Sequence, residues 1–311
     1  MRWSLLAACS VILFATSAAA QTLYKYRGAD GEWIYTDRKP AEERQVETRA
    51  LNVSRKSDVK FDVTYAIDGR KVTIVASNPY YIAVEITLDI ERIDGISYPH
   101  PDQSMRWVVP PLSQQVLLDL DILETATTPS LQYRFTYLAG DPAARHAPGG
   151  PYRVPYALGV DHRVTQAYPD VTTHSTPDSY YAVDIEMPIG TDIVAARAGV
   201  VFDIAGNNFE GGTDPAEHGH KANVVRILHD DGSYAIYAHL NWNSIRVKPG
   251  DVVERGQYIA DSGNTGYSSG PHLHFAVVRN SGMKIQSLPI TFAGNDAGAV
   301  TPAQGMNLTA Y

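Results

Sequence analysis

The stretch GPHLHFAV, residues 270–277, decides the fold and raises the question of function, because two histidines stand two positions apart in an apolar run. Successive side chains of a β-strand point to opposite faces, so His272 and His274 share one face and the apolar residues between and after them share the other. Such a strand is anchored in a core behind and presents two imidazoles in front. A lone buried histidine is usually structural, whereas a pair on one face favours a metal or acid–base site.

Alternating runs before this stretch predict further strands. Residues 222–240, ANVVRILHDDGSYAIYAHL, hold two alternating runs around Asp231-Gly232, which is a hairpin signal. Between residues 61 and 138 several short alternating segments are separated by turn signals, a pattern typical of a β-sandwich. No segment has the periodicity of an amphipathic helix. The chain is therefore predicted to be mainly β, with a loosely ordered C-terminal tail from about residue 293.

The N-terminus has the pattern of a secretory signal peptide. A cationic residue precedes an apolar run and then small residues, so residues 1–20 are predicted to be cleaved after Ala20 and the protein to be periplasmic or extracellular. A lipobox ending at Cys9 is the alternative, but it would leave almost no apolar region before the cleavage site. Residues 21–50 are predicted to form a small β module, in which two aromatic-rich runs around Asp30-Gly31 predict a β-hairpin that ends at Pro40. The polar stretch from residue 41 to about residue 60 is interpreted as a linker.

Composition narrows the classes of function. The 311 residues, 44% of them hydrophobic, are enough for several domains with cores. The net charge of −8 and the absence of a basic cluster argue against nucleic acid as a partner. No later segment is long and apolar enough to predict a membrane span. Cys9 is the single cysteine, so a zinc site in the mature chain cannot use thiolates. Nothing in the sequence indicates an oligomeric state.

Three further residues qualify as partners of the histidine pair. Asp184 lies mid-strand in YAVDIEM, where a buried carboxylate needs a partner such as a cation. His174 precedes this strand, and His239 ends the alternating run YAIYAHL. The HEXXH motif is absent, so a helix-based zinc protease site is not expected. Catalytic zinc takes three protein ligands and leaves its fourth position to water, and these residues can supply such a set.

Three segments, YAVDIEMPIGTDIVAARAGVV, DDGSYAIYAHL and VKPGDVVERGQYIADSGNTGYSSGPHLHF, together resemble the lysostaphin-type (LytM-like) zinc metallopeptidases. That family consists of antiparallel β-sheet endopeptidases that cut peptide cross-links of bacterial peptidoglycan, so the resemblance implies Zn²⁺ as the cofactor and peptidoglycan stem peptides as the substrate. It covers about residues 174–278 and implies a LytM-like zinc peptidase domain over residues 150–295. A β-sandwich-like domain is expected before it, over residues 58–145. The N-terminal module separately resembles a small domain of unknown function of exported proteobacterial proteins, with a YK…DG…YTD pattern.

The motifs of the family carry over residue by residue. The implied site consists of the metal ligands His174, Asp184 and His274 and the catalytic residues His239 and His272. Compact members of the family place the first histidine four residues before the aspartate, where this chain has Tyr180. His174 therefore follows the longer-spaced pattern of other members.

Other polar residues are interpreted as structural or peripheral. His218 and His220 form a second HxH, but they lie in a Gly-rich insert with no apolar face, which indicates a solvated loop or a substrate rim. Gln166 and Tyr267 are expected to line the cleft. Glu186 shares a face with Asp184 and is interpreted as a cavity wall or a solvated strand position.

Three functions remain open. The first is a secreted zinc metalloendopeptidase that hydrolyses peptidoglycan cross-links by zinc-activated water. The second is a non-catalytic or autoinhibited LytM-like regulator of cell-wall hydrolases, because degenerate members of the family have lost metal ligands. The third is a protease of other secreted proteins. The complete set of five polar positions favours the enzyme, while the amide bond that is cut stays undetermined.

Overall fold

The structure, a computed structural model, describes residues 22–27, 33–36, 47–50, 60–98 and 104–311. The chain divides into two compact units, Met1–Lys56 and Ser57–Tyr311, which are described separately. Within the described ranges, no helix has the length and apolar character needed to cross a membrane.

The first unit holds a small antiparallel sheet. Its strands are β1 (Thr22–Arg27), β2 (Trp33–Thr36) and β3 (Glu47–Ala50), in the order β2-β1-β3. β1 and β2 pair as the aromatic-rich runs predict. From the sequence a linker is expected at residues 47–50, because ETRA lacks the apolar alternation that marks a strand. In the structure these residues form β3. The predicted signal peptide and the Asp30-Gly31 turn lie outside the described residues and stay predictions.

The second unit begins with six strands that enclose one core. They are β4 (Asp62–Asp68), β5 (Lys71–Asn78), β6 (Val84–Asp94), β7 (Met105–Val109), β8 (Ser113–Asp121) and β9 (Ser130–Ala139). Two three-stranded antiparallel sheets result, in the orders β4-β5-β8 and β7-β6-β9. The alternation of KVTIVASN buries Val72 and Ile74 on one face of β5, in the same cluster as Ile86 and Leu88 of β6. We call this pair of facing sheets the sandwich.

The remaining elements of the second unit are short strands and two short helices. They are β10 (Asp161–Gln166), β11 (Val183–Glu186), β12 (Asp192–Val194), β13 (Gly199–Ala205), β14 (Gly211–Gly212), α1 (Pro215–His218), β15 (Val224–Leu228), β16 (Tyr234–Ala238), β17 (Val252–Val253), β18 (Tyr258–Asp261), β19 (Gly266–Tyr267), β20 (His272–Asn280), β21 (Ile285–Ser287), β22 (Phe292–Ala293), a 3₁₀ helix (Asn295–Ala297), β23 (Ala299–Val300) and β24 (Asn307–Thr309). The prediction of a mainly β chain is confirmed.

A nine-stranded antiparallel sheet organises this part of the chain. Its order is β17-β13-β15-β16-β20-β11-β10-β24, and β21 pairs with the end of β20. On one face of β20, Leu273, Phe275 and Val277 are fully buried in the main core. His272 and His274 project from the opposite face, as the alternation of the sequence predicts.

The sandwich packs against the same face of the sheet as the two histidines. Ile82, in the connection between β5 and β6, is buried in one cluster with Ala276 of β20. At the end of β20, Asn280 donates its side-chain amide to Glu85 Oε2 at 2.8 Å. Because a strand advances about 3.3 Å per residue, the contact at Ala276 lies roughly 7 Å along the strand from His274.

The C-terminal segment belongs to the sheet, and the expectation of a loosely ordered tail is wrong. β24 pairs with β10, and Leu308 and Ala310 are buried. The Tyr156 hydroxyl donates a hydrogen bond to the carbonyl of Leu308. Two buried apolar residues in a polar stretch are too weak a pattern to predict a strand from the sequence.

We expect Ile82→Ala to lower the free energy of unfolding by about 3 kcal/mol, because Ile82 is 1% exposed and the substitution leaves a cavity between the sandwich and the sheet. Urea denaturation measures the change. Ile67→Ala is the matched control, since Ile67 is 49% exposed on β4 and should lose less than about 0.5 kcal/mol. Equal losses in the two variants would contradict the packing of the sandwich against the sheet.

Burial also makes His229 a source of acid sensitivity. Burial lowers the pKa of His229 to about 4, while its Nδ1 donates to the Ala198 carbonyl at 2.9 Å. Between pH 6.5 and 4 the unfolded chain therefore binds a proton that the folded chain does not. The free energy of unfolding therefore keeps its full value above pH 6.5 and falls by up to about 3 kcal/mol as the pH falls to 4. In His229→Gln, the free energy of unfolding should fall less between pH 6.5 and pH 4 than it does in the parent, as measured by urea denaturation at each pH. The same pH dependence in both proteins would contradict the assignment.

Candidate metal centre

The pairing of β11 with β20 brings the first two candidate residues together. Asp184 lies directly opposite His274, so both side chains project from the same face of the sheet. His274 Nδ1 lies 2.9 Å from Asp184 Oδ1. The neighbours Val183 and Ile185 point into the core on the other face and fix the strand from behind.

His174 reaches this pair from the connection between β10 and β11. Its Nε2 lies 3.2 Å from Asp184 Oδ2. Residues 175–178 are exposed, whereas His174 itself is 4% exposed, so its ring alone turns inward from this stretch. Its Nδ1 is buried and has no hydrogen-bond partner among the described residues.

The three side chains form a donor set that fits a divalent metal ion. The ligand atoms of His174, Asp184 and His274 all lie within 4.8 Å of one another. Two imidazole nitrogens and one carboxylate oxygen are a set that zinc takes in catalytic sites with three protein ligands. Within the part of the chain that the structure describes, this is the one such group of three His, Cys, Asp or Glu residues. His218 and His220 are not part of it.

The environment of Asp184 keeps its carboxylate ionised. Burial alone would raise the pKa of Asp184, because it disfavours the charged form. Hydrogen bonds with His174 and His274, together with the charges of His274 and His272, outweigh burial and hold the pKa well below its usual value of 3.8. A metal ligand must be deprotonated, so this balance suits metal binding.

His239 and His272 lie beside the group in matching arrangements. His239 follows β16 with a φ of 60°, which is uncommon for a residue other than glycine, and its ring centroid is 4.5 Å from that of His272. His239 Nδ1 lies 2.7 Å from the Thr265 carbonyl, and His272 Nδ1 lies 2.8 Å from the Gly270 carbonyl. A carbonyl oxygen only accepts, so each Nδ1 donates, and a ring in its neutral form presents Nε2 as an acceptor.

Both rings lie close to the metal-binding group. His272 Nε2 is 3.8 Å from Asp184 Oδ1, and the His239 ring centroid is 5.9 Å from that of His274. Burial, followed by the charges of His272 and His274, lowers the pKa of His239 to about 3. His239 is therefore neutral near pH 7, which is the state that accepts a proton.

Sequence reasoning placed Gln166 incorrectly and missed Asn223. Gln166 is not at a cleft entrance but is buried behind Asp184, and its Nε2 donates to Asp184 Oδ2 at 2.7 Å. Asn223 is fully buried, donates to the Leu240 carbonyl at 3.1 Å, and so holds the segment that follows His239. Its one sequence signal is an asparagine at the start of an apolar strand, which by itself does not identify a buried amide.

The peripheral candidates lie outside the group. Glu186 is exposed, in agreement with a solvated strand position. The Gly-rich insert is more ordered than a loop, since it contains β14, which pairs with β19, and α1, which Asp214 caps. Tyr267 lies in β19 and is 37% exposed. Its position in a substrate cleft stays a prediction.

Curated relatives resemble this part of the chain at moderate identity. Lysostaphin from Staphylococcus staphylolyticus is 35% identical over 155 residues, which make up 48% of this chain and 27% of that protein. Glycyl-glycine endopeptidase ALE-1 from Staphylococcus capitis is 36% identical over 104 residues, or 33% and 25% of the two chains. Peptidoglycan DD-endopeptidase ShyA from Vibrio cholerae is 39% identical over 95 residues, or 30% and 19%. The chain thus spans between 19% and 27% of the length of these relatives.

The sheet thus carries a His-Asp-His group beside two further histidines. Residues 178–286 match the model of peptidase family M23. Residues 10–59 match a domain of unknown function, DUF4124. Both matches confirm the resemblances seen in the sequence. His174 lies four residues before the matched M23 segment.

We expect Asp184→Asn to weaken metal binding by about 100-fold or more, because the amide keeps the shape of the side chain and loses the charge that draws a cation. Competition with a chromogenic chelator, with Zn²⁺ as the probe, measures the dissociation constant. Asp192→Asn at the exposed start of β12 is the matched control and should keep the affinity of the parent. Equal affinity in the Asp184 variant would rule out that carboxylate as a ligand.

Proposed function

We propose that this chain is an exported zinc metalloendopeptidase that hydrolyses the peptide cross-links of bacterial peptidoglycan. The convergence of His174, Asp184 and His274 beside two further histidines carries the proposal. The substrate class is supported by the name of the relative ShyA, a peptidoglycan DD-endopeptidase. Export is supported by the signal-peptide pattern of residues 1–20.

The proposed ligands are His174 through Nε2, Asp184 through its carboxylate and His274 through Nδ1, the atoms that converge in the structure. Zn²⁺ bound there would supply a Lewis acid and would lower the pKa of a bound water to about 7. Asp184 contributes the negative charge of the set. The backbone pairing of β11 with β20 holds two of the three ligands in place before any metal arrives.

His239 and His272 are the proposed proton carriers. Each ring is fixed by an Nδ1–H donated to a backbone carbonyl, so each works through Nε2. A neutral Nε2 accepts a proton from the attacking water. Once protonated, it donates to the oxyanion of the tetrahedral intermediate or to the leaving amine of the cut peptide bond. Two imidazoles held side by side can divide these tasks.

The test is digestion of purified peptidoglycan by the zinc-loaded mature protein, with the products identified by mass. His239→Ala and His272→Ala should still bind zinc and lose about 100-fold or more in turnover, because each removes a proton carrier. His274→Ala should lose both zinc and turnover. The parent treated with a chelator gives the turnover in the absence of metal.

The outcomes separate the remaining functions. Release of stem-peptide fragments by the parent alone supports the peptidase and identifies the bond. A parent that binds zinc and releases nothing from peptidoglycan would overturn the proposed substrate, and cleavage of Gly-rich peptides would then identify a protease of other proteins. Full turnover in both the His239 and His272 variants would overturn their catalytic role.

A further inference from the structure

Gln166, at the end of β10, is a buried side chain whose amide is fully used. Its Nε2 donates to Asp184 Oδ2 at 2.7 Å and to Thr173 Oγ1 at 2.9 Å. Its Oε1 accepts from the backbone N–H of Thr173 at 2.7 Å and from that of Thr172. A carboxamide has two N–H donors and two acceptor positions, so no hydrogen-bonding capacity is left over.

The partners fix the orientation of this amide. A flipped Gln166 would turn its oxygen toward the Asp184 carboxylate and its NH₂ toward two backbone N–H donors, so three of its four contacts would be repulsive and only the Thr173 hydroxyl could adapt. Only the orientation with nitrogen toward Asp184 satisfies every partner. At 7% exposure, water cannot easily replace these contacts.

Gln166 joins two parts of the site that the sheet does not join. Asp184 is placed by the pairing of β11 with β20, but His174 lies ten residues earlier on a connection outside the sheet. Thr173, next to His174, is exposed and is held by Gln166 through both its N–H and its hydroxyl. The same amide holds the Asp184 oxygen that faces His174 Nε2.

We propose that Gln166 is a positioning residue that sets His174 against Asp184 and thereby builds the metal site. The inference rests on the proposed function, because it takes these two residues as ligands of zinc. Gln166 binds the carboxylate as a neutral donor, so it orients Asp184 without neutralising the charge that the cation needs. Side chains that orient metal ligands in this way typically contribute 10–100-fold in metal affinity.

The experiment uses the full mature chain and Zn²⁺ as the probe. Gln166→Met keeps the volume of the side chain and removes all of its hydrogen bonds. We expect its zinc dissociation constant, measured by chelator competition, to rise about 10–100-fold. In the Co²⁺-loaded protein the visible absorption bands should shift, because the geometry of the ligands changes. Gln304→Met is the matched control and should keep the zinc affinity of the parent. Gln304 is exposed and donates at 3.1 Å to the carbonyl of Thr165, which lies next to Gln166 on β10.

A second variant tests the same role with a shorter amide. If Gln166→Met does not fold, Gln166→Asn is measured instead; its amide is one methylene too short to reach both partners, and we expect at least about fivefold weaker binding. A zinc affinity within twofold of the parent, with unchanged Co²⁺ bands, overturns the role of Gln166.

The proposed function is judged separately, by hydrolysis in the parent. A parent that binds zinc without hydrolysing peptidoglycan, beside a weakened Gln166 variant, overturns the function and supports the positioning role. A parent that binds no zinc overturns both.

Discussion

The pairing of β11 with β20 is the constraint on which the rest of the site depends. It places Asp184 opposite His274, and it holds only because Ile185, Leu273 and Phe275 are buried on the other face. A slip of one residue would move every side chain of a strand to the opposite face, so burial in the core fixes the register of the polar residues. Hydrophobic packing on one face of the sheet thus fixes the positions of the polar side chains on the other face. It also places an ionised carboxylate among histidines, an arrangement that is costly to bury unless the charge is matched.

The sandwich extends this front face. Its Ile82 covers the sheet at Ala276, only two residues beyond His274, and Glu85 anchors the end of β20 through Asn280. A peptide laid along β20 across the histidines would therefore meet the sandwich at that end. The apolar residues buried there mean that the sandwich is packed as part of the second unit.

The sequence predicted those features that follow from strict alternation. Because side chains on a strand alternate between faces, HLHFAV was sufficient to put His272 and His274 together, and YAVDIEM to mark Asp184 as a buried carboxylate. His174 and His239 were candidates from their places in the sequence, and the family motifs gave them roles that their neighbours do not reveal.

What the sequence did not reveal depends on contacts between distant segments. Gln166 and Asn223 are buried amides whose partners lie on other elements, and no periodicity marks them. β24 carries only one apolar residue, Leu308, so its pairing with β10 has no local signal. The docking of Ile82 depends on the meeting of two sheets, which a pattern within one strand cannot specify.

The most direct measurement of the central claim is anomalous diffraction at the zinc absorption edge from crystals of the zinc-loaded protein. The account predicts one strong peak about 2.0–2.2 Å from His174 Nε2, His274 Nδ1 and an Asp184 carboxylate oxygen. It also predicts that the Gln166 amide stays on Asp184. A peak at His218 and His220 instead, or a zinc ion bound by Asp184 and His274 with His174 turned away, would contradict it.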